Sequence, residues 1–95
     1  MTLGRTKLVI AYLSEHGHFP GKSRAQINEA LGWHPATEVT ARIREARTPA
    51  YGAFDIRVEQ FSKKEFTYWM PPKERERAKQ LVAHWIEQSK KGRAA

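Results

Sequence analysis

Two short amphipathic segments separated by the turn Gly32-Trp33-His34-Pro35 constrain the fold of this chain more than any other feature. The first segment begins at Ser23, whose hydroxyl is suited to capping the free amides of a helix start, and Gln26 completes a capping-box pattern. Gly32 is suited to ending that helix, and Pro35 fits the first position of the next one. The pattern therefore predicts two helices joined by a tight turn.

The second of these helices is predicted over Pro35 to Arg47, and it combines a thin apolar stripe with several arginines. Val39, Ile43 and Ala46 lie at helical spacing, so they are expected to face the core. Successive residues are offset by about 100° around a helix, which turns the hydroxyl-bearing and charged residues to the other side. We therefore expect the arginines of this segment to face outward.

Two more helices and a hairpin complete the expected organisation. The first helix is predicted over about Leu3 to His16, with Gly17 ending it. Apolar and polar residues alternate over residues 54–58 and 66–70, which predicts two half-buried strands joined by a turn. An amphipathic helix is predicted over about Pro72 to Lys90, with an apolar side formed by Ala78, Leu81, Val82, Trp85 and Ile86.

The composition indicates one small basic domain. The chain has 95 residues, a formal net charge of +7 and a pI near 10.1, with the positive charge concentrated on either side of a neutral hairpin region. Such a charge attracts polyanions, of which nucleic acid is the commonest in the cytosol. The chain contains no cysteine and no long apolar run, so a cytoplasmic location is expected, in association with the nucleoid when bound to DNA.

Catalytic and metal-binding patterns are missing from the sequence. Its four histidines are not grouped with other ligands at spacings typical of zinc sites. There is no glycine-rich phosphate loop, no paired catalytic carboxylates and no nucleophile with a base and an orienting acid. We therefore expect no metal, no cofactor and no enzymatic activity.

The order helix, helix, short turn, helix, hairpin resembles a winged helix-turn-helix domain. Residues 39–47, followed by Pro49, Tyr51 and Gly52, are similar to the recognition-helix segment of small winged-helix proteins of bacteriophages and prophages. The resemblance covers about residues 5–70. It implies a mainly α fold with a three-helix core and a two-stranded wing over residues 1–71. The helix and basic tail over residues 72–95 lie outside the family pattern.

The resemblance implies a protein that binds double-stranded DNA, with the third helix in the major groove and the hairpin against the backbone or minor groove. Transcription control, or a phage DNA transaction such as excision, replication or packaging, would be its role. The residues expected to read bases are Thr37, Thr40, Ala41 and Arg44. Those expected to meet phosphates are Lys22, Ser23, Arg24, Arg42 and Arg47, and those expected to act from the wing are Arg57, Lys63 and Lys64.

Several alternatives remain open at this stage. The last helix is expected to cover the core, to form a homodimer through Leu81, Val82, Trp85 and Ile86, or to do both with different edges, and we slightly favour the homodimer. The tail from Lys90 is expected to be frayed and to add a weak phosphate contact. Trp69 and Trp85 are interpreted as packing residues, whereas for Trp33 both packing and stacking on nucleic acid remain open.

The main alternative function is a protein-binding module that inhibits or adapts a host DNA- or RNA-processing enzyme. A single-strand or RNA binder would require exposed aromatic residues.

Overall fold

The computed structural model describes residues 4–60 and 62–94, with side chains as far as Lys90. Within these residues the chain forms a small α+β domain with four α-helices and one three-stranded antiparallel sheet. The elements in chain order are α1 (Arg5–His16), β1 (Lys22–Ser23), α2 (Arg24–Leu31), α3 (Thr40–Ala46), a short 3-10 helix (Pro49–Tyr51), β2 (Arg57–Gln60), β3 (Phe66–Trp69) and α4 (Pro72–Ala94). The predicted helix start at Leu3 lies outside the described residues.

The predicted ends of α2 are confirmed in detail. The Ser23 hydroxyl accepts a hydrogen bond from the Gln26 backbone N–H at 3.2 Å, and the Gln26 side chain accepts one from the Ser23 N–H at 2.9 Å. Gly32 adopts a left-handed conformation with a φ of 73° and ends the helix. Local sequence chemistry is therefore sufficient to define both ends of α2.

The predicted helix from Pro35 to Arg47 is wrong over residues 35–39, because α3 begins only at Thr40. The buried side-chain amide of Asn28 donates hydrogen bonds to the carbonyl oxygens of Pro35 at 3.1 Å and Thr37 at 3.0 Å. A helix would need those oxygens as acceptors for backbone N–H groups four residues later. A long-range side-chain contact thus competes with the first helical turn and replaces it.

The core lies between α1, α3, the hairpin and the first half of α4. The predicted stripe of Val39, Ile43 and Ala46 is confirmed, since each of these residues is at most 1% exposed. The other buried apolar residues of the core are Val9, Ile10, Leu13, Ile27, Phe54, Ile56, Tyr68, Met70 and Ala78.

The hairpin is shorter than predicted, because β2 begins at Arg57 and not at Phe54. Phe54 and Ile56 are buried ahead of the strand, whereas Val58, expected on the buried side, is 43% exposed. The Ile56 carbonyl accepts a hydrogen bond from the Arg47 guanidinium at 2.6 Å, which ties this segment to the end of α3. The hairpin proper therefore projects beyond the core.

A third strand was not predicted. β1 pairs antiparallel with β3, with Lys22 opposite Tyr68 and Ser23 opposite Thr67, so the strand order is β1-β3-β2. Two residues are too few to show a period of two, which explains why the sequence pattern missed this strand. The pairing joins the start of α2 directly to the hairpin.

α4 packs along α1 and covers the core with part of its apolar side. Ala78 is fully buried, and Leu81, Val82 and Trp85 are partly buried against the core. Ile86 is 44% exposed, and the predicted homodimer remains a prediction. The helix continues to Ala94, four residues beyond its predicted end at Lys90, and the tail side chains from Lys91 onward lie outside the described residues. In the part of the chain that the structure describes, no helix is long and apolar enough to cross a membrane.

Candidate nucleic-acid interface

The starts of α2 and α3 meet the hairpin around a cleft of about 410 Å³, here called the hairpin cleft. The β1–β3 pairing holds it together, because Ser23 is both a strand residue opposite Thr67 and the cap of α2. The residues that line the hairpin cleft are Ser23, Arg24, Ala25, Thr40, Lys64, Glu65, Phe66 and Tyr68. The cleft thus combines residues from three separate parts of the sequence.

Two hydroxyl groups connect the helix side of the hairpin cleft to its strand side. The Thr40 side-chain oxygen lies 3.5 Å from the Tyr68 hydroxyl, and either group can donate to the other. Tyr68 is only 9% exposed, whereas Thr40 is exposed. The pair lies where the first turn of α3 approaches β3, and both residues line the cleft.

Glu38 lies just before α3, near two of the predicted DNA-contacting arginines. Its carboxylate accepts a hydrogen bond from the Thr40 backbone N–H at 2.8 Å. Hydrogen bonding by the Thr40 side chain and backbone lowers the pKa of Glu38, and the nearby positive charges of Arg24 and Arg44 lower it further. The Glu38 carboxylate therefore lies near positive charge from two different helices.

The predicted base-reading residues occupy three different environments. Thr40 and Arg44 are exposed on α3, and Ala41 beside them is half-buried. Thr37 precedes α3, and its carbonyl accepts the Asn28 hydrogen bond, so its predicted place on the outer face of a helix is wrong. The Arg44 side chain makes no hydrogen bond within 3.5 Å with any described residue. It also has no ion-pair partner within 4.0 Å among those residues.

The predicted phosphate-binding residues divide into two groups. Ser23 and Arg24 line the hairpin cleft, and Lys22 precedes them on β1. Arg42 forms an ion pair with Glu45 at 3.2 Å, and Glu45 also accepts a hydrogen bond from Thr6 of α1 at 2.7 Å. Arg47 donates to the Ile56 carbonyl at 2.6 Å. The last two arginines are thus engaged in contacts within the domain and do not line the cleft.

The predicted wing residues also divide. Lys64 lines the hairpin cleft, and Lys63 is exposed in the adjoining turn. Arg57 binds Asp55 at 3.1 Å, and its guanidinium lies 5.4 Å from the centre of the Trp69 ring. Because Trp69 neighbours Tyr68 on β3, the two side chains are on opposite faces of the sheet. Arg57 therefore lies on the face away from the cleft.

Phe66 and Glu38 are candidate site residues that the sequence did not indicate. The alternation predicted Phe66 on the buried side with Tyr68 and Met70, but its side chain is 41% exposed. The alternation gives the correct face of the sheet for Phe66. Its side chain is exposed and not buried, because the hairpin extends past the core. No local pattern identifies Glu38, whose neighbours Arg24 and Arg44 come together only in the folded chain.

The tryptophans are partly buried in the structure, as predicted for Trp69 and Trp85. Trp33 and Trp85 pack against the core, and each has a cation from α1 over its ring, Arg5 at 5.5 Å and Lys7 at 4.9 Å. Phe19 contacts Trp69 edge to face at 5.2 Å. These contacts occupy the ring faces and favour packing roles.

Comparisons with protein-family models, with curated proteins and with solved structures gave no match for this chain. Among residues 4–60 and 62–94 there is also no cluster of three or more histidine, aspartate or glutamate side chains that could hold a metal ion. The geometry around the hairpin cleft is therefore the main indication of function.

Proposed function

We propose that this protein is a winged helix-turn-helix protein of the bacteriophage type that binds double-stranded DNA. α3 enters the major groove, and the β2–β3 hairpin acts as the wing against the backbone or minor groove. Its role is transcription control or a phage DNA transaction, in the cytoplasm and on the nucleoid. The third strand supports this assignment, because it holds the hairpin at a defined position beside α2 and α3.

The observation that carries the proposal is the positive charge around the hairpin cleft. Arg24 from α2 and Lys64 from the hairpin line the cleft, and Arg44 is exposed on the neighbouring α3. We call Arg24, Arg44 and Lys64 the basic surface. These cations come from three elements, and phosphate contacts made from separate elements would fix the orientation of the protein on a duplex. Arg44 has the additional property that its guanidinium can make two parallel hydrogen bonds to guanine.

The proposal is tested by fluorescence polarisation with a random duplex pool and with duplexes enriched by selection. The titrations are repeated between about 50 and 200 mM salt, where phosphate contacts lose affinity steeply. We expect a steep salt dependence together with an enriched motif. Absence of duplex binding at the lowest salt would contradict the proposal and would favour the protein-binding alternative.

A charge-matched control separates a defined site from general attraction. Arg44→Ala removes one positive charge from the basic surface, and Lys79→Ala removes one from an exposed position on α4. We expect Arg44→Ala to alter preference at one base position and Lys79→Ala to leave it unchanged. Equal effects of the two substitutions would remove the assignment of α3 as the reading helix.

A further inference from the structure

The hairpin exposes an apolar surface on the side that faces the cleft. Phe66 is 41% exposed and lines the cleft, and Val58 is 43% exposed. Val58 pairs with Tyr68, and Gln60 pairs with Phe66, so Val58 and Phe66 are diagonal neighbours on one face of the sheet. Their exposure is not explained by the core, which ends at Tyr68.

The surroundings of this apolar pair are positively charged. Lys64 and Arg24 line the same cleft as Phe66, with Glu65 as the one acidic residue among the lining residues. A partner that places apolar surface against Phe66 therefore also meets a net positive charge. Duplex DNA has this combination, because its minor groove exposes apolar sugar atoms between two rows of phosphates, and a base step that is unstacked exposes the flat apolar faces of its bases.

We infer that Phe66 is a wedge that enters the DNA minor groove at one base step, partly unstacks that step and bends the duplex. The inference rests on the proposed function, since it assigns the hairpin to the minor groove. Apolar side chains that enter the minor groove bend DNA by about 20–90°. Val58 supports the wedge from the adjacent strand, while Lys64 and Arg24 hold the phosphates on its two sides. The flexibility of the contacted step then contributes to sequence preference without a base-specific hydrogen bond.

Phe19 provides a matched control for this inference. It is 61% exposed, more than Phe66, but it packs on Trp69, which lies on the opposite face of β3 from Tyr68. Phe19→Ala and Phe66→Ala therefore remove the same exposed group from opposite sides of the sheet. Phe66→Thr is a second variant, because a β-branched residue favours the strand and retains no ring.

The bend is measured on a selected duplex labelled at both ends, by energy transfer between the labels, with binding followed separately by polarisation. We expect the wild-type protein and Phe19→Ala to bend the duplex, and both Phe66 variants to bind it with most of the bend lost. A mismatch introduced at the contacted step removes part of the stacking to be broken. We expect it to increase the affinity of the wild-type protein several-fold and to leave both Phe66 variants unchanged.

The outcomes distinguish the wedge from the proposed function. If the wild-type protein binds the duplex without bending it, or if the Phe66 variants bend it equally, the wedge is overturned and DNA binding stands. If Phe19→Ala also abolishes the bend, the effect is not specific to the cleft side and the wedge is overturned as well. If the wild-type protein binds no duplex in the polarisation measurement, the proposed function itself fails and takes the wedge with it.

Discussion

Arg44 on α3 and Arg77 on α4 are both exposed arginines, but their guanidinium groups have different contacts within the protein. Arg44 is exposed on α3, and its guanidinium has no hydrogen-bond or ion-pair partner among the described residues. Arg77 of α4 donates to the Gly52 carbonyl at 2.7 Å, forms an ion pair with Glu74 at 2.8 Å and lies 4.5 Å from the centre of the Phe54 ring. The donors of Arg77 are already used inside the fold, so positive charge by itself does not identify a DNA contact.

The junction around Arg77 has little freedom to rearrange. Gly52 has a φ of 111°, and a side chain there would meet the Phe54 ring at 2.8 Å and Leu81 at 2.9 Å. The Glu74 carboxylate also accepts the Asp55 backbone N–H at 2.7 Å. This junction holds the hairpin against α4, whereas the surface around Arg44 remains open to a partner.

The largest expected effect concerns Arg44. Arg44→Ala is expected to reduce affinity for a selected duplex roughly 10- to 100-fold, because a two-point contact to guanine contributes about 1–3 kcal/mol. Its free energy of unfolding should stay within about 0.5 kcal/mol of the wild type, since the Arg44 side chain has no hydrogen-bond or ion-pair partner among the described residues. Polarisation and urea unfolding measure the two quantities. If Arg44→Ala lost stability but retained its site preference, Arg44 would have the structural role that we assign to Arg77.

Arg77→Ala is expected to have the opposite effects, a loss of stability with little change in DNA affinity. Loss of its hydrogen bonds and ion pair should lower the free energy of unfolding by about 1–2 kcal/mol, a range reduced because the side chain is partly exposed. Duplex affinity of the folded protein should change little. Lys79→Ala on the same helix serves as the control in urea unfolding. If Arg77→Ala weakened DNA binding as much as Arg44→Ala, the division between the two regions would not hold.

A smaller effect, on the salt dependence of DNA affinity, is expected when cations on the two faces of the hairpin are replaced. Lys64→Ala should reduce the slope of log affinity against log salt by about one, as expected for one lost phosphate contact. Arg57→Ala should leave the slope unchanged, because Arg57 lies on the other face and binds Asp55 at 3.1 Å. Titrations at several salt concentrations give both slopes. A reduced slope for Arg57→Ala alone would transfer the phosphate contact to the opposite face of the sheet.

The smallest expected effect is a pH dependence at the Arg77 junction. The hydrogen bond from Arg77 is the largest cause that lowers the pKa of Glu74 below its ordinary value of 4.5, and the bond from the Asp55 N–H adds to it. A lowered pKa in the folded state means that Glu74 stabilises the fold fully above pH 4.5. This stability is lost as the pH falls through the lower folded-state value.

Glu74→Gln should therefore flatten the fall in unfolding free energy below pH 4.5, and Glu76→Gln on the same helix should not. Urea unfolding at a series of acidic pH values measures the two curves. An identical acid dependence in wild type and Glu74→Gln would show that the Glu74 contacts do not contribute to folding.

The accuracy of the sequence predictions differs along the chain for physical reasons. α2 was predicted residue by residue, because its capping box and terminal glycine act within one or two helical turns. The helix prediction is wrong over residues 35–39, because the Asn28 side chain, seven and nine residues away, binds the carbonyl oxygens of Pro35 and Thr37. The alternation in the hairpin gave the correct faces for Tyr68 and Phe66, but it could not show where the core ends.

The sequence by itself determined the order of the helices and hairpin, the buried stripe of Val39, Ile43 and Ala46, and the positive charge of the chain, because these follow from neighbours along the chain and from composition. Only the tertiary structure decided which cations remain available. Arg42 pairs with Glu45 within α3 and Arg47 donates to the Ile56 carbonyl outside it, whereas Arg24 and Lys64 come together around a cleft. The Arg47 hydrogen bond and the pairing of β1 with β3 join segments that are separate in the sequence, and periodicity along a chain contains no information about such contacts.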